Sequence, residues 1–406
     1  MPKLENYNQF DGLHWETGTV RNFYDYIGVL APHTNKPYSE ALLMGISGGA
    51  VMGYFSFAYK GYDPMARILT RNTFNPLDTL LERLGAVQER KQTSSPKKGL
   101  ANLIDTLEDG CPAIVWADLF SLPYNALPYD EGMWGMLPIL VYGYDETADT
   151  VWIADRARVP LTTTTEELAT ARARIKKDKF RILTLDLPDP DKLQAAVSAG
   201  IWDCIKLYTE KPPKGSRNNF GLAAYQWWAK LLTRPETRLS WEKEFPAGRK
   251  MVAGLTSAFS DVMTFGKEGS VDQGGAERYM YANFLDEASI VLDKSALREV
   301  AEQFRASGQA WHALAMALLP DNVEPLREIR DSMLRWQTLF INRGNAALDE
   351  IHQSAQKIED IKVASTENFP LTSEEITDFR KNLAEQVLDV YELEEAAILQ
   401  LRDVMS

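Results

Sequence analysis

An α+β chain with an all-α second half is the fold class this sequence predicts, and three observations predict it. Short β-rich runs alternate with helical stretches over residues 1–187. Residues 187–192 (LPDPDK) then interrupt the pattern with two prolines, and beyond them helical periodicity runs to the end without a convincing strand. At 406 residues the chain exceeds what one hydrophobic core usually supports, so two domains are expected, 1–187 and 188–406.

In the first half, Val20, Phe23, Tyr24 and Ile27 recur at helical spacing, and residues 39–44 have the pattern of a short capped helix that Gly45 should end. The runs 113–117 (AIVWA), 139–144 (ILVYGY) and 151–154 (VWIA) are short, β-rich and bounded by turn residues, as buried strands are. Residues 145–149 join the last two as a hairpin. The threonines at 162–165 with Glu166 and Glu167 offer a capping box to a helix through Ala169 and Ile175, and 180–185 (FRILTL) returns as a strand.

In the second half, helices are expected over 191–208, 221–232, 275–292, 295–319, 323–364 and 372–405, the last opened by Thr372 with Glu375 three residues on. The final two carry apolar stripes, Ile329, Met333, Trp336 and Phe340 on one and Leu383, Val387, Val390 and Leu393 on the other. They are expected to pack as an antiparallel hairpin, the competing arrangement being a homodimer interface between two copies.

Composition narrows the function classes. With 44 Lys and Arg against 57 Asp and Glu, the net charge of -13 repels phosphate backbones and anionic membranes, so nucleic acid is not an expected partner. No run approaches the roughly 18 apolar residues of a membrane span, and the opening MPKLENYNQF lacks the basic and apolar regions of a secretory signal. A cytoplasmic protein is expected. Cys111 and Cys204 are too few and too far apart for a disulfide framework, and four isolated histidines offer no ligand pair at metal-binding spacing. Neither a metal nor a cofactor is expected. His312 and His352 lie in helical stretches and read as packing or surface residues.

Residues 8–22 (NQFDGLHWETGTVRN) are the most informative. In papain-like folds a nucleophilic cysteine sits at the start of a helix, where unpaired amides and the helix dipole favour the thiolate, and a glutamine a turn upstream helps hold the oxyanion. Gln9 and Trp15 occupy those two places. A histidine at the start of a central strand and an Asp or Asn at the end of the next would complete the triad. Leu137 and Asp155 fall there.

The segments FDGLHWET, YSEALLMGISGG, PAIVWAD, GMLPILVYGYD and VWIADR, in that order, resemble the N-terminal domain of the butirosin-biosynthesis protein H family over residues 8–187. The second half is similar to the helical domain of unknown function that commonly follows it, on GGAERYMYANFLDEA at 274–288. The resemblance implies a papain-like fold. For the best-understood member type it implies transfer of an aminoacyl group from an acyl carrier protein to the amine of an aminoglycoside during antibiotic synthesis. The chain departs from that pattern where the family has His-Cys, here His14-Trp15, and where the family has a histidine close to Leu137. An indole offers no lone pair for acyl attack and a leucine cannot shuttle protons, so the thioester route is not expected to run at those positions.

Other residues compete for a role. Cys111 opens a buried strand and reads as a structural thiol. Gly45 to Gly49 match G-x-S-x-G around Ser47, but with a helix before and a β-rich run after, the reverse of a nucleophile elbow. His14, with Glu16 or Asp155, is the candidate general base for a non-covalent transfer or elimination, against a structural role for the same imidazole. Strand alternation points Tyr142 and Tyr144 to one face, as core or pocket. In the 274–288 segment, Arg278 and Tyr281 lie three apart and could face a cleft between domains, or serve an ordinary salt bridge. An acidic carrier protein would need a basic face, for which 172–179 (RARIKKDK) is the best cluster, though a solvated helix face explains it equally. Two readings follow. The protein is an acid/base enzyme of specialised metabolism, or a non-catalytic pseudoenzyme that binds a small molecule or partner protein with Trp15 filling the nucleophile space.

Overall fold

The computed structural model describes residues 2–263 and 274–406. The chain divides into two compact units, each assembled from several segments. The first takes Met1–Leu43, Leu77–Leu193 and Trp336–His352, and the second takes Met44–Pro76, Gln194–Arg335 and Gln353–Ser406. Residues 44–76 thus belong to the second unit and residues 336–352 to the first.

In chain order the elements begin with α1 (Thr17–Tyr26), β1 (Leu30–Ala31), β2 (Lys36–Pro37), α2 (Glu40–Ile46), β3 (Ala50–Phe57) and β4 (Met65–Arg71). There follow α3 (Pro76–Leu84), β5 (Gln88–Lys91), α4 (Pro96–Glu108), β6 (Ala113–Asp118), β7 (Met136–Asp145), β8 (Thr150–Ala154), β9 (Leu161–Thr163), α5 (Thr165–Ala173) and β10 (Ile182–Leu185). Helices alone follow among the described residues: α6 (Leu193–Thr209), α7 (Gly221–Thr233), α8 (Trp241–Glu244), α9 (Arg249–Met263), α10 (Arg278–Val291), α11 (Leu297–Leu318), α12 (Glu324–Arg343), α13 (Leu348–Ala364) and α14 (Ser373–Met405). The chain is α+β, a sheet-bearing N-terminal part followed by helices.

The first unit is built on a six-stranded sheet ordered β5-β10-β6-β7-β8-β9, antiparallel at every step. Every residue of β6 is buried, as is β7 from Pro138 to Tyr144, because α1 packs on β7 and α5 on β6. Their unbroken apolar runs are what strands covered by helices require. Pro138 sits in a central strand at no cost: β8 pairs only as far as Leu140, so the missing N–H breaks no bond on that side. The start of β7, where Leu137 lies, therefore has one strand neighbour. Helix α5 opens with the expected capping box, Thr164 accepting from the Glu167 amide and Glu167 from the Thr164 amide.

Two expected elements differ. Ser39 Oγ caps α2 by accepting from the Leu42 amide at 2.9 Å, but Gly45 does not end the helix. Gly45 is there because a Cβ would fall 2.1 Å from the Phe284 ring, and the chain turns instead at Gly48 and Gly49, with φ of 117° and 70°. The helix expected over 323–364 is two helices separated at Gly344, whose φ is 50°. Asn345, just after that break, donates to the Thr162 carbonyl and accepts from its amide, both at 2.9 Å, so its side chain pairs with the edge strand β9.

In the second unit, α14 lays Leu383, Val387, Val390, Ile398 and Leu401 against α7 and α11, so the expected hairpin with the preceding helix does not form. Leu393 is left 38% exposed. The centre of this unit is an ion pair with no solvent exposure, Arg278 with Glu394. Glu394 accepts from Arg278 Nε at 2.6 Å and Nη2 at 3.1 Å, from the Tyr208, Tyr225 and Ser307 hydroxyls, and from Trp311 Nε1 at 2.9 Å. Arg278 also donates to the carbonyls of Val51 and Thr70, which ties the β3/β4 hairpin to the helices. Beside it Arg71 pairs with Glu277, both buried.

Burial works against the Glu394 charge, but Arg278 and the hydroxyl donors outweigh it and hold the carboxyl below the usual Glu range. Its stabilisation is thus complete above the unfolded value of about 4.3 and lost as pH falls below that. Glu394→Ala strands a buried guanidinium and is expected to cost about 3–5 kcal/mol in chemical denaturation. Asp261 has the opposite sign: burial raises its carboxyl to about 6 although it accepts from the Ile68 amide and pairs with Arg67. Its contribution is full below the unfolded value and is lost as pH rises through about 6. Asp261→Asn should therefore narrow the stability difference between pH 5 and pH 8, by about 1 kcal/mol.

Candidate functional site

The turn into α1 is made by two glycines in contact. A Cβ on Gly12 would meet the Gly18 carbonyl oxygen at 2.2 Å, and one on Gly18 would meet Gly12 at 2.7 Å. Only glycine lets the incoming strand lie on the first helical turn. Two buried side chains pin that turn. Asn22 Oδ1 accepts from the Gly12 amide at 2.9 Å, and the Glu40 carboxylate accepts from the Leu13 amide at 2.8 Å and the Thr17 hydroxyl at 2.9 Å. His14 and Trp15 are thereby fixed immediately before α1. His14 Nδ1 accepts from the Glu16 amide at 3.2 Å, and its ring meets the indole edge-on at 5.3 Å.

Trp15 is half-buried, and its indole N–H is buried with no acceptor among the described residues. The Arg156 guanidinium carbon lies 5.0 Å from the Trp15 ring centroid and 5.1 Å from that of Phe340. Asp155, 3% exposed, accepts from Arg156 Nε and Nη2, both at 3.0 Å, and from the Tyr124 hydroxyl at 3.1 Å. Arg156 Nη2 also donates to Asn125 Oδ1, and Asn125 is anchored in turn on the Leu119 carbonyl. Burial opposes the Arg156 charge, yet the Asp155 carboxylate outweighs it and keeps the guanidinium above its ordinary pKa. Tyr124 is pushed well above the usual phenol value, first by burial and then by the Asp155 charge. The backbone at Arg156 has φ of 32°, a left-handed conformation costing an arginine on the order of 1–3 kcal/mol.

The structure brings together His14, Trp15 and Glu16 on one turn, and Trp15 with Asp155 through Arg156. Thr19 on α1 donates to the Pro138 carbonyl at 3.4 Å, which sets the helix against the start of β7, where Leu137 is half-buried. Gln9 is turned to its neighbour Asn8, which exchanges two hydrogen bonds with its amide. Tyr142 is buried and stacks on Tyr7 at 4.3 Å, with Phe10 at its edge, and Tyr144 is buried as well. Arg278 and Tyr281 lie in the interior of the second unit, fully buried, Arg278 on Glu394 and the Tyr281 ring against Phe284 and Phe304.

Neither cysteine is prepared as a nucleophile. Burial raises Cys111 to about 11 and Cys204 to about 12, so both are thiols at neutral pH. Ser47 is 3% exposed and donates to the Met44 carbonyl at 2.7 Å, between a helix before it and a strand after it. Within the basic run, Arg172 is buried and lowered to about 10 by burial, and Arg174 is held by the Tyr129 hydroxyl and the carbonyls of Asp130, Glu131 and Met133. Lys176 and Lys177 remain as its exposed cations.

Arg156, Tyr124, Asn125 and Glu40 were not singled out from the sequence as site residues. Arg156 stood in plain view after Asp155 in VWIADR, but nothing in its local pattern says that a guanidinium would reach Trp15. Among the described residues no group of three His, Cys, Asp or Glu side chains is placed to hold a metal ion, and no helix is long and apolar enough to cross a membrane.

Residues 14–156 match the family model described as Butirosin biosynthesis protein H, N-terminal, and residues 166–338 match the one described as Domain of unknown function (DUF4872). The first match includes Trp15, Glu40, Tyr124, Asn125, Leu137, Asp155 and Arg156. No curated protein matches the chain. Because two charge-assisted bonds from Glu40 hold the turn at Leu13 and Thr17, Glu40→Ala is expected to destabilise by about 2–4 kcal/mol. It should also speed hydrogen exchange at the Leu13 amide, whereas a role for Glu40 in packing alone would leave that amide protected.

Proposed function

We infer from its membership of the family in which the butirosin biosynthesis protein H N-terminal domain is followed by DUF4872 that this chain serves the biosynthesis of a specialised metabolite, by binding a small molecule without a thiol intermediate. In the family pattern that the sequence resembles, Trp15 stands at the nucleophile and Leu137 at the base. A Cys-His-Asp relay places an imidazole between nucleophile and carboxylate, where it takes the proton from one while leaning on the other. Here the group between position 15 and Asp155 is the Arg156 guanidinium, 5.0 Å from the ring and 3.0 Å from the carboxylate oxygens. A guanidinium is a permanent donor and cannot accept a proton. That arrangement is the observation that carries the reading.

The general-base role considered for His14 is weakened by its hydrogen bond. With Nδ1 accepting from the Glu16 amide, the neutral ring carries its proton on Nε2, so the Nδ1 lone pair is already engaged. Asp155 is equally unsuited, since Arg156 and Tyr124 occupy its oxygens. The pseudoenzyme reading is therefore favoured over acid/base catalysis. Trp15 then supplies an aromatic wall to a ligand.

Incubation with an aminoacyl carrier-protein thioester, followed by intact mass measurement, is expected to leave the chain's mass unchanged. A covalent acyl adduct would overturn this reading. Native mass spectrometry of freshly purified protein is expected to show a non-covalent small-molecule adduct that is lost on Trp15→Ala.

A further inference from the structure

We propose that Arg156 and Trp15 together form a binding site for a small monocarboxylate. The inference rests on the non-covalent binding reading above and specifies what that site recognises. A guanidinium has five N–H groups arranged as a rigid fork. The Nε and Nη2 edge of Arg156 is committed to Asp155 and Asn125, while Nη1 makes no hydrogen bond among the described residues. The side chain is 20% exposed, so that unused edge belongs to a group still open to solvent.

The fork is also held still. Asp155 grips one edge with two bonds, the Trp15 and Phe340 rings lie against the guanidinium, and the backbone is bent to φ of 32° to place it. Strain retained at one position, with a rigid donor as its result, is the form that preorganised binding takes. An independent observation lies next to it: the Trp15 indole N–H is buried and has no acceptor among the described residues. A buried donor left in that state costs about 1–3 kcal/mol, which an acceptor oxygen of a ligand would recover.

Charge selects the ligand class. Asp155 cancels most of the Arg156 charge at short range, so a phosphate dianion would meet a carboxylate directly behind the fork. A neutral amide would forgo the charge-assisted bond that a carboxylate forms with a guanidinium. A monoanion with two oxygens fits between these limits.

The experiment is calorimetric titration of the full chain with butyrate and benzoate, with their primary amides and inorganic phosphate as companions. Both carboxylates are expected to bind at least about tenfold more tightly than the matching amide or phosphate, a difference of about 1.4 kcal/mol. Trp15→Phe keeps a ring against the guanidinium but removes the N–H together with part of the indole, and should weaken binding several-fold. Arg156→Gln should abolish it, and if that variant fails to fold, Arg156→Lys keeps the charge, loses the fork and should weaken binding at least tenfold. Equal affinity for acid and amide, no binding of either carboxylate, or unchanged affinity in both Arg156→Lys and Trp15→Phe each overturns the proposal. A co-purifying ligand without a carboxylate would overturn it while leaving non-covalent binding intact. A covalent acyl adduct would instead strike the reading beneath it.

Discussion

A carboxylate buried at the end of a strand is the constraint from which the candidate site follows. Asp155 is 3% exposed, and an unpaired carboxylate at that depth costs several kcal/mol. The next residue supplies the cation. For adjacent residues to form a two-bonded pair the backbone must double back, and the left-handed φ of Arg156 with the bond from the Ala157 amide to the Asp155 carbonyl accomplishes that. Once the guanidinium is locked on Asp155, Trp15 and Phe340 pack on it, Tyr124 donates to the same carboxylate and Asn125 accepts from Nη2. The position of Trp15 is thus set from two directions, by the Glu40 and Asn22 bonds that fix the turn before α1 and by a cation brought to it from the end of β8.

The second unit meets the same physical demand over longer spans. Arg278 and Glu394 are 116 residues apart and Arg71 and Glu277 are 206 apart, yet both pairs are buried. A buried pair with every polar atom satisfied adds little net stability over apolar packing, but it penalises any arrangement that separates its members. Arg278 reaches the carbonyls of Val51 and Thr70, and Thr70 and Arg71 reach Glu277. These bonds explain why residues 44–76, which precede most of the sheet in sequence, fold with the helices.

What was legible in the sequence was whatever local pattern determines. The β-rich runs at 113–117 and 139–144 lie within strands, residues 145–149 join two of them, and helices open at the threonines at 162–165 and at Thr372, as local pattern and capping chemistry suggest. Periodicity shows which face of a helix is buried but not what it is buried against, so the partner of α14 was misjudged. The same limit hid the break at Gly344, whose φ is 50° and where a Cβ would press on Leu161 and Val159, long-range neighbours that periodicity does not reveal. Arg278 and Tyr281 looked like cleft residues because a polar set on a helix suggests a surface. Glu394, too distant in sequence to be suspected, makes them core residues.

The candidate site shows that limit at its sharpest. Position 15 could be read from sequence as the place of a nucleophile and 137 as the place of its base, yet the partner that Asp155 takes is a residue that neither pattern involves. With no imidazole to lean on it, a carboxylate at Asp155 needs some other positive partner, and a guanidinium in turn needs something to cover its flat faces. A cysteine would offer one small sulfur; an indole offers a broad face whose negative quadrupole attracts a cation, an interaction that strengthens as water is excluded. On this reading Trp15 and Arg156 account for each other. The aromatic side chain is then a positive requirement of the charge at Arg156, and the one polar atom it leaves unsatisfied is the place where a ligand adds something the protein lacks.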